Sequence, residues 1–160
     1  IEPGCVVVAV GGGGLLAGVL HGIEQAGWSA TRVVAVETAG TASFAAAQTA
    51  GRPVDLESID SIAVTLGARR VCAEAIRRAR THDVVSCVVS DAAAVRACNR
   101  FLDDHRVLVE PSCGAALSAV YDGEPAAIGT QGPVLVIVCG GAGVTARQLA
   151  QWTADLEGSS

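Results

Sequence analysis

Four consecutive glycines, Gly11-Gly12-Gly13-Gly14, separate a β-branched apolar run from a stretch with helical periodicity. With no Cβ in the way, successive N–H groups can turn inward and an anion can come close. The helix that follows adds free N–H groups and the positive end of its dipole. A tight turn needs one or two glycines, so four in a row point to a phosphate cradle. The owner of that phosphate is open at this stage. Gly12-x-Gly14-x-x-Ala17 fits the dinucleotide fingerprint in its alanine-ending form, and Glu37 stands where a ribose-binding acid is expected.

A second small-residue cluster, Cys139-Gly140-Gly141-Ala142-Gly143, follows the last apolar run. Two such loops on one sheet edge can hold opposite ends of a small flat cofactor, with a thiol turned toward a ring nitrogen. Taken alone, Cys139 reads as an inert packed cysteine. All 11 basic residues are arginine. With no lysine, no side-chain amine is present to form a Schiff base.

The elements that must place these loops alternate. Residues 5–10 form a buried strand, and 14–26 a helix stopped by Gly27. Strand 32–37 and helix 41–50 follow, the latter ended by Gly51 and Pro53. Residues 52–68 read as a long loop with one extended piece at 61–66. Helix 72–81 and strand 84–89 come next. Ser90 or Asp91 caps a helix to about 104. A brief strand or connector at 107–109 leads to a helix capped by Ser112 and ending at Tyr121. Strand 134–138 and helix 145–156 close the chain. This alternation predicts an α/β fold: a doubly wound, mostly parallel sheet with helices on both faces.

Composition agrees. The 160 residues include 19 glycines but only five aromatic side chains, so the core must be Val, Ile, Leu and Ala. A net charge of −5 argues against nucleic acid, and the arginines from Arg69 to Arg80 read as a solvated helix face. No apolar run approaches the ~20 residues that span a bilayer, which argues against a membrane. Six cysteines without C-x-x-C spacing suggest a reducing, cytoplasmic setting.

Several blocks recur together in one family. The run Val8-Ala9-Val10-Gly11-Gly12-Gly13-Gly14-Leu15-Leu16-Ala17-Gly18 resembles the phosphate-binding segment of the L-serine dehydratase/L-threonine deaminase family, fold-type-II pyridoxal-phosphate enzymes. Val36-Glu37-Thr38, Thr65-Leu66-Gly67-Ala68, the stretch from Leu108-Val109-Glu110-Pro111-Ser112-Cys113 to Gly114-Ala115-Ala116, and Val136-Ile137-Val138-Cys139-Gly140-Gly141 follow in family order. The likeness extends over nearly the whole chain.

By this resemblance, Gly11, Gly12, Gly13, Gly14 and Leu15 hold the cofactor phosphate, while Cys139 and Gly140 meet the pyridine end. A cysteine there is similar to the serine-dehydratase branch. The resemblance also implies a K+ or Na+ site using the Glu37 carboxylate and backbone near Gly11, Thr41, Leu66 and Ala68; Glu37 is otherwise an ordinary exposed acid. It implies an amino-acid substrate, a homodimer, and residues 1–160 as the carboxyl-terminal part of the large domain. The family's Schiff-base lysine and small domain precede such a segment, so the chain alone is expected to be inactive. Ala142-Gly143 departs from the polar pair usual in the family, which is expected to loosen contacts to the cofactor ring. An NAD-type dinucleotide module and a non-catalytic remnant, binding a partner through an uncovered sheet edge, are the other two readings.

Overall fold

The computed structural model describes residues 1–158; the expected domain extent, to residue 160, includes two residues outside them. Four strands, β1 (Cys5–Ala9), β2 (Arg32–Thr38), β3 (Val84–Val89) and β4 (Val134–Val136), form one sheet in the order β3-β2-β1-β4. Every pairing is parallel, with Val7 opposite Val34 on one side and Val136 on the other. Among the described residues, seven helices accompany them: α1 (Gly14–Ala26), α2 (Ser43–Ala50), α3 (Ala73–Ala79), α4 (Asp91–His105), α5 (Pro111–Tyr121), α6 (Pro125–Ile128) and α7 (Ala146–Glu157).

The two-residue alternation of a strand divides the core. Val6, Val8 and Val10 meet Leu16, Leu20 and Ile23 of α1, with Phe44 of α2 and Ile76 of α3 in the same layer. Cys5, Val7 and Ala9 face the opposite layer, where Ala115, Ala116 and Ala119 of α5 lie with Ala94 of α4. All five β1 residues are buried, as a continuous β-branched run predicts for a central parallel strand. A third cluster joins α4 and α5 to α7 through Cys98, Cys113, Leu117 and Leu149. The doubly wound expectation is met.

Local boundaries show where sequence and fold differ. Gly27 adopts φ 69° and closes α1, as expected. Ser90 Oγ accepts the Ala93 N–H and caps α4. Helix α5, however, starts at Pro111 with Glu110 as N-cap, so Ser112 is inside the helix rather than its cap. Proline's fixed φ suits the first helical position and puts the cap at Glu110, two residues upstream. Residues 61–66 are not extended: Val64–Leu66 is a 3-10 turn. Residues 107–109 are a connector without strand pairing. Strand β4 ends at Val136, although the Ile137 N–H still bonds Val7 O at 2.9 Å. All six cysteines are free thiols, and no helix among the described residues is long and apolar enough to cross a membrane.

Candidate cofactor site

Because every strand runs the same way, the segments after β1, β2, β3 and β4 emerge at one edge of the sheet. A cleft of about 270 Å3 opens there, lined by Gly11 to Gly14, Leu15, Thr65, Leu66, Glu110, Ser112 and Cys139. The carboxyl edge of an open parallel sheet is where ligands of such folds bind. The two glycine-flanked loops therefore do share one cleft.

Gly13 is the N-cap of α1 with φ 86°, in the left-handed region. Its approach to α3 is tight: a Cβ would stand 2.6 Å from Val71 Cγ2 and 2.9 Å from Ala75 Cβ. Around Gly14, by contrast, a Cβ would meet nothing within 4 Å. Among the described residues, the N–H groups from Gly11 to Leu16 find no acceptor; the first engaged is Ala17, on Gly13 O at 2.9 Å. Unpaired amides converging at a helix N-terminus beside open space suit a phosphoryl dianion. The fit to a cofactor phosphate thus rests on orphan donors and on room to place an acceptor.

At the opposite end, Cys139 is exposed, correcting its reading as a packed residue. Its thiol faces that of buried Cys113 on α5, and this neighbour pushes the Cys139 thiol up. Cys113 is the more acidic partner, drawn down because the Cys139 thiol and the N–H groups of Cys139 and Gly140 face its sulfur. The two titrate as a unit.

Three side chains in this cleft, Thr65, Glu110 and Ser112, carried no cofactor role in the sequence reading, Ser112 being expected only as a helix cap. Thr65 Oγ1 donates to Glu110 Oε1 at 2.6 Å and lies 2.5 Å from Ser112 Oγ. Glu110 Oε2 accepts the Gly143 N–H at 3.1 Å. The signal was available in Glu110-Pro111: a proline at the first helical position makes the preceding acid the N-cap, on the loop side of α5.

Glu37 is completely buried rather than an exposed strand-end acid. Its oxygens accept the N–H groups of Phe44 at 2.7 Å and Ala45 at 2.8 Å, so the carboxylate caps α2. Burial raises its pKa to about 7, against the lowering effect of those N–H groups. So enclosed, it is out of reach of a ribose, and the dinucleotide reading loses its acid. Gly11 packs against the 64–66 turn, where its Cβ would meet Leu66 Cα at 3.0 Å. The Thr41 hydroxyl bonds Thr38 Oγ1 at 2.8 Å. Ala68 donates its N–H to Leu66 O at 2.7 Å, leaving one lone pair on that carbonyl.

Comparison with known proteins decides the family. The sequence pattern described as "Pyridoxal-phosphate dependent enzyme" matches residues 1–140. The chain belongs to that family. It is 50% identical to the rat protein named "Serine dehydratase-like", over 96% of this chain and 49% of the relative. It is 44% identical to the human "L-serine dehydratase/L-threonine deaminase", over 92% of this chain and 47% of the relative. Among solved structures, a fungal L-serine ammonia-lyase from Rhizomucor miehei superposes with a TM-score of 0.91 at 36% identity, over 96% of this chain and 50% of that one. The chain of this pyridoxal-phosphate family member thus spans about half the length of the curated relatives it matches.

Proposed function

We propose that these residues form the phosphate- and ring-binding part of the large domain of a pyridoxal-phosphate-dependent L-serine/L-threonine dehydratase, an ammonia-lyase yielding pyruvate or 2-oxobutanoate. The observation that carries this reading is the run of unpaired N–H groups from Gly11 to Leu16 at the mouth of α1, beside open space at Gly14. Gly11, Gly12, Gly13, Gly14 and Leu15 bind the phosphate. Cys139 and Gly140 border the pyridine end, and the raised thiol stays neutral there, a weak donor rather than a counter-charge.

Pyridoxal phosphate supplies an aldehyde that condenses with amines and a ring that accepts electrons. The residues of this chain bind it, orient it and exclude water from its phosphate. With no lysine in the sequence, the amine that joins the aldehyde and moves the substrate's α-proton lies outside these 160 residues, as does the small domain. The amino-acid substrate enters between the two parts. The uncovered side of β4, where Leu135 and Val138 are exposed, is the seam toward that remaining chain. A homodimer in the cytoplasm completes the reading, with sedimentation of the complete enzyme as the check on assembly.

A monovalent cation, K+ or Na+, belongs to the same proposal. Glu37 offers a buried carboxylate whose oxygens each keep a lone pair beyond their N–H bonds. Gly11, Thr41, Leu66 and Ala68 contribute carbonyls, and the tight contact of Gly11 with the 64–66 turn supports their convergence.

Titration with pyridoxal phosphate, followed by absorbance and by protection of the Gly11–Gly14 amides from hydrogen exchange, tests the reading. Saturable binding is expected, inorganic phosphate should compete, and borohydride should leave no pyridoxyl group on any side chain. Saturable NADH binding without a response to pyridoxal phosphate would reverse the conclusion.

A further inference from the structure

Glu110 bonds to two segments that flank its own at the cleft, the Thr65 turn and the Cys139–Gly143 loop. Its main-chain N–H donates to Gly140 O at 3.1 Å, and its Oε2 accepts the Gly143 N–H. Its Oε1 accepts the Thr65 hydroxyl, and Thr65 in turn touches Ser112 on the first turn of α5. At two loop positions the carboxylate lies where a side chain would begin: a Cβ on Gly140 would stand 2.9 Å from Glu110 Oε1, and one on Gly143 2.7 Å from Oε2. The missing side chain at Gly143 therefore lets the carboxylate reach the loop backbone.

We propose that Glu110 is a positioning residue: it fastens the Cys139–Gly143 loop to the Thr65 turn and to α5, and so sets where the Cys139 thiol stands at the ring end of the cleft. This deepens the cofactor reading and rests on it for its relevance to catalysis. Its own evidence is independent, being hydrogen bonds and close contacts within the chain.

The placement has an electrostatic side. The titratable groups facing Cys139 are Cys113 on α5 and Glu110 itself. The Glu110 charge disfavours a thiolate at both cysteines. Removing that charge should ease ionisation of Cys139, whereas mere loosening of the loop should raise its reactivity equally at every pH.

Alkylation by iodoacetamide across a pH series, read peptide by peptide by mass spectrometry on the full chain without cofactor, separates these effects. Exposed Cys72 serves as the internal control. In Glu110→Gln the apparent midpoint of the Cys113–Cys139 pair, read at Cys139, should fall by about one pH unit, so the rate below it rises roughly tenfold. Cys72 should not change, and Glu110→Asp should restore the original midpoint. An unmoved Cys139 midpoint, or a parallel shift at Cys72, overturns the proposal. If Glu110→Gln fails to fold, seen as labelling of buried Cys98, Thr65→Val carries the test. It keeps the charge but removes the bond that anchors Glu110 to the Thr65 turn, so the plateau rate at Cys139 should rise at least about threefold at an unchanged midpoint; an unchanged plateau overturns the proposal. With cofactor absent throughout, the result is independent of the pyridoxal-phosphate titration.

Discussion

The α-carbon of Gly13 lies against Val71, so that a methyl group added there would come within 2.6 Å of Cγ2. With φ at 86°, the position also penalises any L side chain. Gly13→Ala should therefore destabilise the fold by about 3 kcal/mol, combining left-handed strain with overpacking. Urea unfolding measures it. Gly14→Ala, facing open space on the first helical turn, should leave stability within about 0.5 kcal/mol while weakening binding of pyridoxal phosphate. Equal stability losses in the two variants would contradict the division of labour within the glycine run.

Glu37 predicts a pH dependence. Its folded-state pKa, near 7, lies above the ordinary carboxylate value of 4.5 because burial disfavours the charge. Between those values the native state holds the proton that the unfolded chain has released. Stability from this group is thus complete below about pH 4.5 and is lost as pH rises through about 7. The change should be on the order of 3 kcal/mol in choline buffers, and Glu37→Gln should flatten that part of the curve.

Exchanging choline for potassium tests the cation separately. A bound K+ favours the ionised carboxylate, so potassium should restore stability above pH 7 and have little effect below pH 5. Thermal melts at the two pH values, in each salt, provide the measurement. Identical melts in both salts would remove the cation from the proposal.

Asp91 ties the long 52–68 segment to the sheet edge. Its Oδ1 accepts Ser61 Oγ at 2.6 Å and its Oδ2 accepts the Ile62 N–H at 2.9 Å, while Ser61 also meets Thr38 Oγ1 at 2.8 Å. Asp91→Ala should cost about 2 kcal/mol, since it orphans donors to a charged acceptor. Limited proteolysis should then cut first between residues 52 and 63, ahead of any cut in α4.

Much of the fold was legible because its signals are local. The β-branched runs of β1 to β3 and the glycine after α1 report burial and termination without help from distant residues. The turn at the mouth of α1 was legible for the same reason: four glycines carry their geometry with them. What escaped depends on how the chain folds back on itself. Glu37 looks like a surface acid until the N-terminus of α2 folds over it. Cys139 reads as core because apolar residues precede it, yet the strand ends at Val136 and the chain turns outward. The Thr65–Glu110–Gly143 connection joins residues 33 to 45 positions apart, and only the tertiary fold brings them together.

The crossing of α5 with α4 has a further consequence. Nine consecutive residues of α5, Pro111 to Ala119, are buried, and at Gly114 an added Cβ would sit 2.3 Å from Ala94 O and 2.5 Å from Cys98 Sγ. A helix wedged backbone against backbone has no rotamer left with which to adjust its height. The distance between the cleft's two walls is therefore written into main-chain geometry, and a single methyl at residue 114, buried well behind the cleft, would move its rim like a shim under a hinge.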